Sequence, residues 1–204
     1  MFNGAVEALK AAGHEVKTTD IYEDNFDPLT SRKNFKTVKN PDFLKPQAEE
    51  SFASENDGFA DDVRVEIEKL EWCDILIFQF PLSWFTVPAG LKGWLDRVLV
   101  MGRVYGYGNI YDTGKFKGKK GVLSFTTGGP QPAYVKGGFN GDIDAILRPL
   151  HRGIFEFLGM SVLKPNIVYA AAHGTDEERQ QKLREWQIRV VALDAEQPIE
   201  VGIY

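Results

Sequence analysis

The sequence predicts an α/β fold built on a doubly wound parallel sheet, and three observations carry that prediction. Residues 73–80, CDILIFQF, make an unbroken apolar run of the kind found in strands buried on both faces of a parallel sheet. Helical and strand-like periodicities alternate along the chain. The two loops with the most distinctive chemistry each follow directly on a strand, where doubly wound sheets place their ligand sites.

The elements follow in order. Val6, Leu9 and Ala12 run an apolar stripe through VEALKAAG, and Gly13 stands where a helix C-cap glycine would, so the first element is a short helix. HEVKTTDIY alternates polar and apolar residues around β-branched Val16, Thr18 and Thr19 and predicts a strand. Glu23 to Gly58 holds prolines and many charges without a sustained period, which predicts a long irregular connection with room for one short helix. DDVRVEIEKLEW restores helical spacing through Val63, Ile67 and Leu70, and the buried strand CDILIFQF follows. PLSWFTVPAG, bracketed by Pro81 and Pro88, is a loop, and AGLKGWLDRVL is a helix. After the glycine-rich stretch GRVYGYGNIYDTGKFKGKK come the strand GVLSFTT and a second loop, GGPQPAYVKGGFNGD. Ile143 to Leu158 predicts an amphipathic helix interrupted near Pro149. Ser161 to Ala171 predicts a strand through VLKPNIVYA, and Asp176 to Val191 a charged helix. With no repeat, low-complexity run or dividing linker, residues 1–204 are expected to form a single domain.

Composition narrows the function classes. Hydrophobic residues make up 43% and charged residues 26%, which excludes disordered and collagen-like readings. A net charge of −5 gives no general attraction to nucleic acid or to an anionic membrane. Cys73 is the single cysteine, so neither an internal disulfide nor a CxxC pair can form, and a reducing, cytoplasmic setting is expected. The longest apolar stretch, Ile75 to Val87, is broken by Gln79, Ser83 and Thr86 and falls short of the ~20 residues of a spanning helix. Met1-Phe2-Asn3-Gly4 carries no signal-peptide pattern. His14, His151 and His173 are far apart and lack metal-ligand spacing, so no metal site is expected. No GxGxxG follows a strand, and neither a P-loop nor a GxSxG elbow occurs.

The chemistry therefore concentrates in two loops. Pro81-Leu82-Ser83-Trp84-Phe85 sets two large aromatics directly after the buried strand. Taken alone, these rings would be read as core caps. Thr126-Thr127-Gly128-Gly129 offers two hydroxyls and two peptides without side chains, which permits close backbone approach and several N–H donors to one edge of a flat polar ring. An aromatic wall facing backbone donors is how a protein positions a redox cofactor.

FQFPLSWFTVPAGLKGWLDRVL, YGYGNIYDTGKF and LSFTTGGPQPAY resemble the flavodoxin-like NAD(P)H:quinone oxidoreductase family of the DT-diaphorase type, and the similarity extends from NGAVEALKAAGHEV through Trp186. The resemblance implies a flavodoxin-like sheet, bound FAD rather than FMN, and NAD(P)H as hydride donor. It also implies a ping-pong transfer of two electrons to a quinone and a homodimer with the active site at the subunit interface. On matching positions, Pro81, Leu82, Ser83, Trp84 and Phe85 would line the flavin, and Thr126, Thr127, Gly128 and Gly129 would bond its ring edge. Tyr134 matches the tyrosine that steadies the reduced ring, and Asn140 stands six residues later where animal members have a histidine. An amide donates hydrogen bonds but accepts no proton at neutral pH, so a protonic relay does not carry over to Asn140. Arg179 matches a residue near the adenine end. Tyr105, Tyr107, Phe157 and His173 match substrate-pocket residues.

The resemblance also implies a buried strand and a phosphate-holding loop ahead of the first helix. Only Phe2 and Asn3 match that loop, so the central strand is expected to be missing from the sheet and FAD to be held more weakly. Two other readings accompany the enzyme: a flavodoxin-like regulatory subunit of a potassium-efflux system, and a truncated, inactive family member.

Overall fold

A computed structural model of the protein describes residues 1–202. It holds an open sheet of four strands, all parallel, with helices on both faces. The helices are α1 (Phe2–Ala11), α2 (Pro46–Glu55), α3 (Asp61–Trp72), α4 (Ala89–Val98), α5 (Ile143–Leu150) and α6 (Asp176–Val190). The strands are β1 (Ile75–Pro81), β2 (Lys120–Thr126), β3 (Ser161–Val162) and β4 (Asn166–Val168). The expected fold class is therefore present.

Alternation along the strands sorts the core into two layers. Ile75, Ile77 and Val122 face α1 and α6, where they pack with Ala5, Trp186 and Val190. Phe78, Phe80, Leu123 and Phe125 face α3, α4 and α5, where they meet Ile67, Trp94 and Leu147. The Phe80 and Phe125 rings, paired across β1 and β2, stack at 5.5 Å. One buried polar anchor fixes this layer: Trp94 donates its Nε1–H to the Glu66 carboxylate at 2.8 Å. A second anchor ties down the long connection. Buried Arg97 donates to the Asp27 carbonyl at 2.6 Å, Asp62 Oδ2 at 2.8 Å and Asn34 Oδ1 at 3.0 Å. That connection contains a 3₁₀ turn at Arg32–Asn34 and the helix α2, a little more order than its composition predicts.

Two expectations are corrected. HEVKTTDIY forms no strand: among the described residues β1 pairs only with β2, and a cavity separates this segment from the free edge of β1. Side chains instead fasten this segment to α3: Thr19 Oγ1 donates to Glu66 at 2.6 Å, and Lys69 Nζ donates to the Thr18 carbonyl at 2.9 Å. The strand expected over 161–171 is split into β3 and β4, both paired to β2, with Lys164-Pro165 between them. Proline has no N–H to give a ladder. The interruption expected near Pro149 in the 143–158 helix is present: α5 ends at Leu150 and the chain continues as a π-helical turn, His151–Glu156.

Candidate active site

Register brings the functional loops together. Pro81, Thr126 and Val168 lie side by side as the last residues of β1, β2 and β4, so the loops leaving these strands start level. The Leu82 N–H then donates to the Thr126 carbonyl at 2.8 Å, and the Thr127 N–H to the Val168 carbonyl at 3.0 Å. Three loops are thus laced to one another beyond the carboxyl edge of the sheet.

The first loop makes a two-residue reverse turn. Ser83 and Thr86 exchange backbone hydrogen bonds at 2.9 and 3.0 Å, and the residues between them, Trp84 and Phe85, both take left-handed backbone angles, φ 50° and 62°. Left-handed φ at both central positions is the geometry of a type I′ turn, which asparagine and glycine ordinarily occupy. The Trp84 side chain is 92% exposed and gains no core packing in return. The turn costs backbone strain and presents an aromatic ring to solvent at the sheet edge, an arrangement that stability alone does not favour.

The second loop divides its residues between bracing and presenting. Thr127 is buried; its hydroxyl donates to the Gly129 carbonyl at 2.8 Å and accepts the Ala170 N–H at 3.3 Å. Ala170 also donates to the Gly129 carbonyl at 3.0 Å, and its own φ is 49°. Among the described residues the N–H groups of Gly128 and Gly129 make no backbone bond. A Cβ on Gly128 would meet nothing within 4 Å, so the peptide is open to a ligand, whereas a Cβ on Gly129 would come within 3.2 Å of both Asn140 Nδ2 and Tyr134 Cε2. Gly129 therefore lets the candidate catalytic pair close over the loop. Asn140 is held there by its backbone N–H to the Ala133 carbonyl at 2.7 Å. Tyr134 is buried, with its ring against Tyr169 at 5.9 Å. Burial, reinforced by Asp144 and Tyr134, pushes the Tyr169 phenol above its ordinary range.

Two aromatic residues expected in a substrate pocket lie together. Tyr105 packs edge-on to Phe157 at 5.5 Å, and Phe157 meets Tyr111 at 5.4 Å. Gln47 donates to the Tyr105 hydroxyl at 3.2 Å, and burial raises that phenol's pKa. Tyr107 parts from Tyr105 and is 95% exposed. His173 is exposed beyond β4, with its backbone N–H on the Ala170 carbonyl at 2.8 Å. Arg179, in the first turn of α6, donates to the Gly174 carbonyl and to Asp176. Phe2 and Asn3, matched to a loop, are instead the first turn of α1; Phe2 lines a cavity that also reaches Pro81. Among the described residues no cluster of metal-ligating side chains occurs, and no helix is long and apolar enough to cross a membrane. Sequence reasoning missed Tyr169 and Ala170, whose parts depend on contacts across two strands.

Comparison with known proteins gives this arrangement its context. A family profile described as flavodoxin-like fold matches residues 1–190. NAD(P)H dehydrogenase [quinone] 1 of Rattus norvegicus is 43% identical over 200 residues, covering 98% of this chain and 73% of the relative. The chain belongs to the flavodoxin-like NAD(P)H dehydrogenase (quinone) family. Two solved structures resemble this family member. A Klebsiella pneumoniae protein solved as a candidate quinone reductase superposes with a TM-score of 0.89 at 31% identity, over 97% of this chain and 80% of that one. General stress protein 14 of Treponema denticola, solved in complex with FMN, gives a TM-score of 0.56 at 29% identity, over 64% of this chain and 72% of its own.

Proposed function

We propose that the protein reduces quinones by two electrons at the expense of NAD(P)H, in a ping-pong cycle with FAD as the bound cofactor. The observation that carries this reading is the lacing of the Trp84 turn to the Gly128-Gly129 loop through Leu82 and Thr126. It sets an exposed aromatic ring and two unspent backbone donors on one sheet edge, which fits a flat heteroaromatic ring. FAD, when bound, supplies the ring that takes up a hydride and gives it away.

In this reading the chain's own residues orient and stabilise. Pro81, Leu82, Ser83, Trp84 and Phe85 form the wall, and Gly128 and Gly129 donate to the ring edge. Thr126 and Thr127 brace that loop, since the Thr126 carbonyl and both the N–H and hydroxyl of Thr127 are already engaged. The Tyr134 hydroxyl and Asn140 Nδ2 direct hydrogen-bond donors to the same edge, where negative charge develops on reduction. Because Asn140 accepts no proton, Tyr134 holds the only acidic proton of the pair. Tyr105 and Phe157 form one apolar wall for the quinone, with His173 at its rim. Tyr107, extended into solvent, fits against a second subunit of a homodimer. Arg179 is assigned to the adenine end of the cofactor, and the protein to the cytoplasm.

Adding FAD to the purified chain and recording its visible spectrum tests the cofactor reading. A stoichiometric bound flavin is expected. A colourless protein that no added FAD restores would overturn it.

A further inference from the structure

Two neighbours set the angle of the Tyr134 ring. Gly129 leaves room for Cε2, which lies 3.2 Å from where a Cβ would stand, and Tyr169 packs on the ring at a centroid distance of 5.9 Å and an angle of 42°. Tyr169 is itself held from both sides. It follows β4 directly, and the Val168 carbonyl before it accepts the Thr127 N–H at 3.0 Å. The Ala170 N–H after it donates to the Gly129 carbonyl at 3.0 Å and to the Thr127 hydroxyl at 3.3 Å, and the Ala171 N–H donates to the Thr127 carbonyl at 3.2 Å. Ala170 takes a left-handed φ of 49°, a costly conformation for a residue with a Cβ, which persists only where the surrounding contacts fix it. Among the described residues Tyr169 packs into neither core layer, and it is only half-buried. The strained corner therefore serves the contact with Tyr134 rather than the core. Burial, with Asp144 and Tyr134 beside it, pushes the Tyr169 phenol above its ordinary range, so it stays an uncharged neighbour of the Tyr134 edge.

We propose that Tyr169 is a positioning residue for the reductive step: its ring fixes the angle from which the Tyr134 hydroxyl donates to the cofactor edge. The inference rests on the reading that a flavin occupies that edge, and adds a residue that acts through another side chain. Hydrogen bonds weaken steeply as their angle falls toward about 120°, so the direction of the hydroxyl decides what it contributes. Tyr134 ends a short 3₁₀ turn, Gln131–Tyr134, and is followed by the glycine-containing stretch 135–141, so its backbone alone leaves the side-chain torsions open. A tilted aromatic neighbour narrows them, because ring pairs prefer offset or edge contacts. The corner that holds Tyr169 is built on the Thr127–Gly129 loop, so the Tyr134 donor and the open peptide of Gly128 share one anchor. Asn140 accepts no proton, so no second titrating group of that pair makes up for a misplaced Tyr134 hydroxyl.

The test measures two quantities on the full chain loaded with FAD: the rate of flavin reduction by NADPH in stopped flow, and the two-electron midpoint potential of the bound flavin, which needs no turnover. Tyr169→Leu removes the ring and is expected to slow reduction by about tenfold. It is also expected to weaken the hold on reduced relative to oxidised flavin by about tenfold, which lowers the potential by about 30 mV. Tyr169→Phe keeps the ring and is expected to bring the rate to within about twofold of the wild type and to restore the potential. In the Tyr134→Phe background Tyr169→Leu is expected to add nothing, since a residue acting through a hydroxyl has no effect once the hydroxyl is gone. Should Tyr169→Leu not fold, Tyr169→Met, of similar reach without a flat ring, takes its place with the same expected values. An unchanged rate and potential on loss of the ring, equal losses in Tyr169→Leu and Tyr169→Phe, or an undiminished loss in the Tyr134→Phe background would each overturn the proposal while leaving the flavin reading intact. A wild-type chain that takes up no FAD would overturn both.

Discussion

The Leu82 N–H donates to the Thr126 carbonyl at 2.8 Å, one residue beyond the last paired position of β1 and β2. This bond carries the register of the sheet into its loops. Without it, the Trp84 turn and the Gly128-Gly129 loop would each hang from a separate strand end; with it, their relative position is fixed by the core below.

The Trp84 turn sets local strain against ligand contact. Trp84→Gly removes a bulky residue from a left-handed position and takes no ring out of the core, so thermal stability is expected to hold or rise by about 1 kcal/mol. FAD affinity is expected to fall about tenfold or more from the lost aromatic contact. Equilibrium unfolding and flavin titration on one preparation check both effects.

Gly129→Ala probes the closeness of Tyr134 and Asn140. Its Cβ would press on both at 3.2 Å, so one of them must give way. FAD binding is expected to weaken by about tenfold while the melting temperature changes little, since the loop is at the surface. Gly128→Ala, with open space around its Cβ, is expected to leave the protein's fold unchanged and weaken binding only by blocking approach to the peptide.

Tyr134→Phe removes the proton without removing the ring that packs on Tyr169. The reductive half-reaction, followed by stopped flow, is expected to slow by about 10²-fold or less, the range for one positioned donor. Asn140→His, which adds a group able to take a proton, is expected to introduce a pH dependence near neutrality that the wild type lacks.

His151 is buried with Nε2 unpartnered, and burial pushes its pKa down from 6.5 to about 4. The unfolded chain therefore binds the proton between those values and the folded chain does not. Stability rises with pH through that window and is lost as pH falls through it, by about 3 kcal/mol at most. Glu50, whose carboxyl burial pushes up, acts in the opposite sense above its ordinary range, so the difference between variants is the proper readout. Unfolding at stepped pH should show a shallower slope in His151→Gln than in the wild type between pH 6.5 and about 5.

Arg97→Met tests the anchor of the long connection. The change takes the guanidinium donors from the Asp27 carbonyl, from Asp62 and from buried Asn34 Oδ1, which keeps only the Ser31 N–H at 3.4 Å. A loss of about 3 kcal/mol is expected, lowering the melting temperature by roughly 6–12 °C.

The sequence disclosed most of the elements whose signals are local. β1, β2, α3, α4 and α6 lie where apolar runs and helical spacing place them, and Pro149 foretold the break after α5. The failures share a cause. A strand is a pairing, and HEVKTTDIY carries strand-like alternation while the edge that would pair with it lies across a cavity. Pro165 marks the division between β3 and β4, since a residue without an N–H does not continue the ladder. Within the site, residue types at Trp84, Gly128 and Gly129 were legible, whereas the bracing role of Thr127 and the parts of Tyr169 and Ala170 depend on contacts between loops that no local pattern encodes. Trp84 and Phe85 at left-handed angles were equally invisible, because aromatic residues rarely adopt them.

The most direct test of the account is the steady-state rate of NADPH-dependent menadione reduction by the purified chain after incubation with FAD. The account predicts FAD-dependent turnover with the parallel-line kinetics of a ping-pong cycle. Stoichiometric flavin binding with no reduction of menadione above that of free FAD would contradict it.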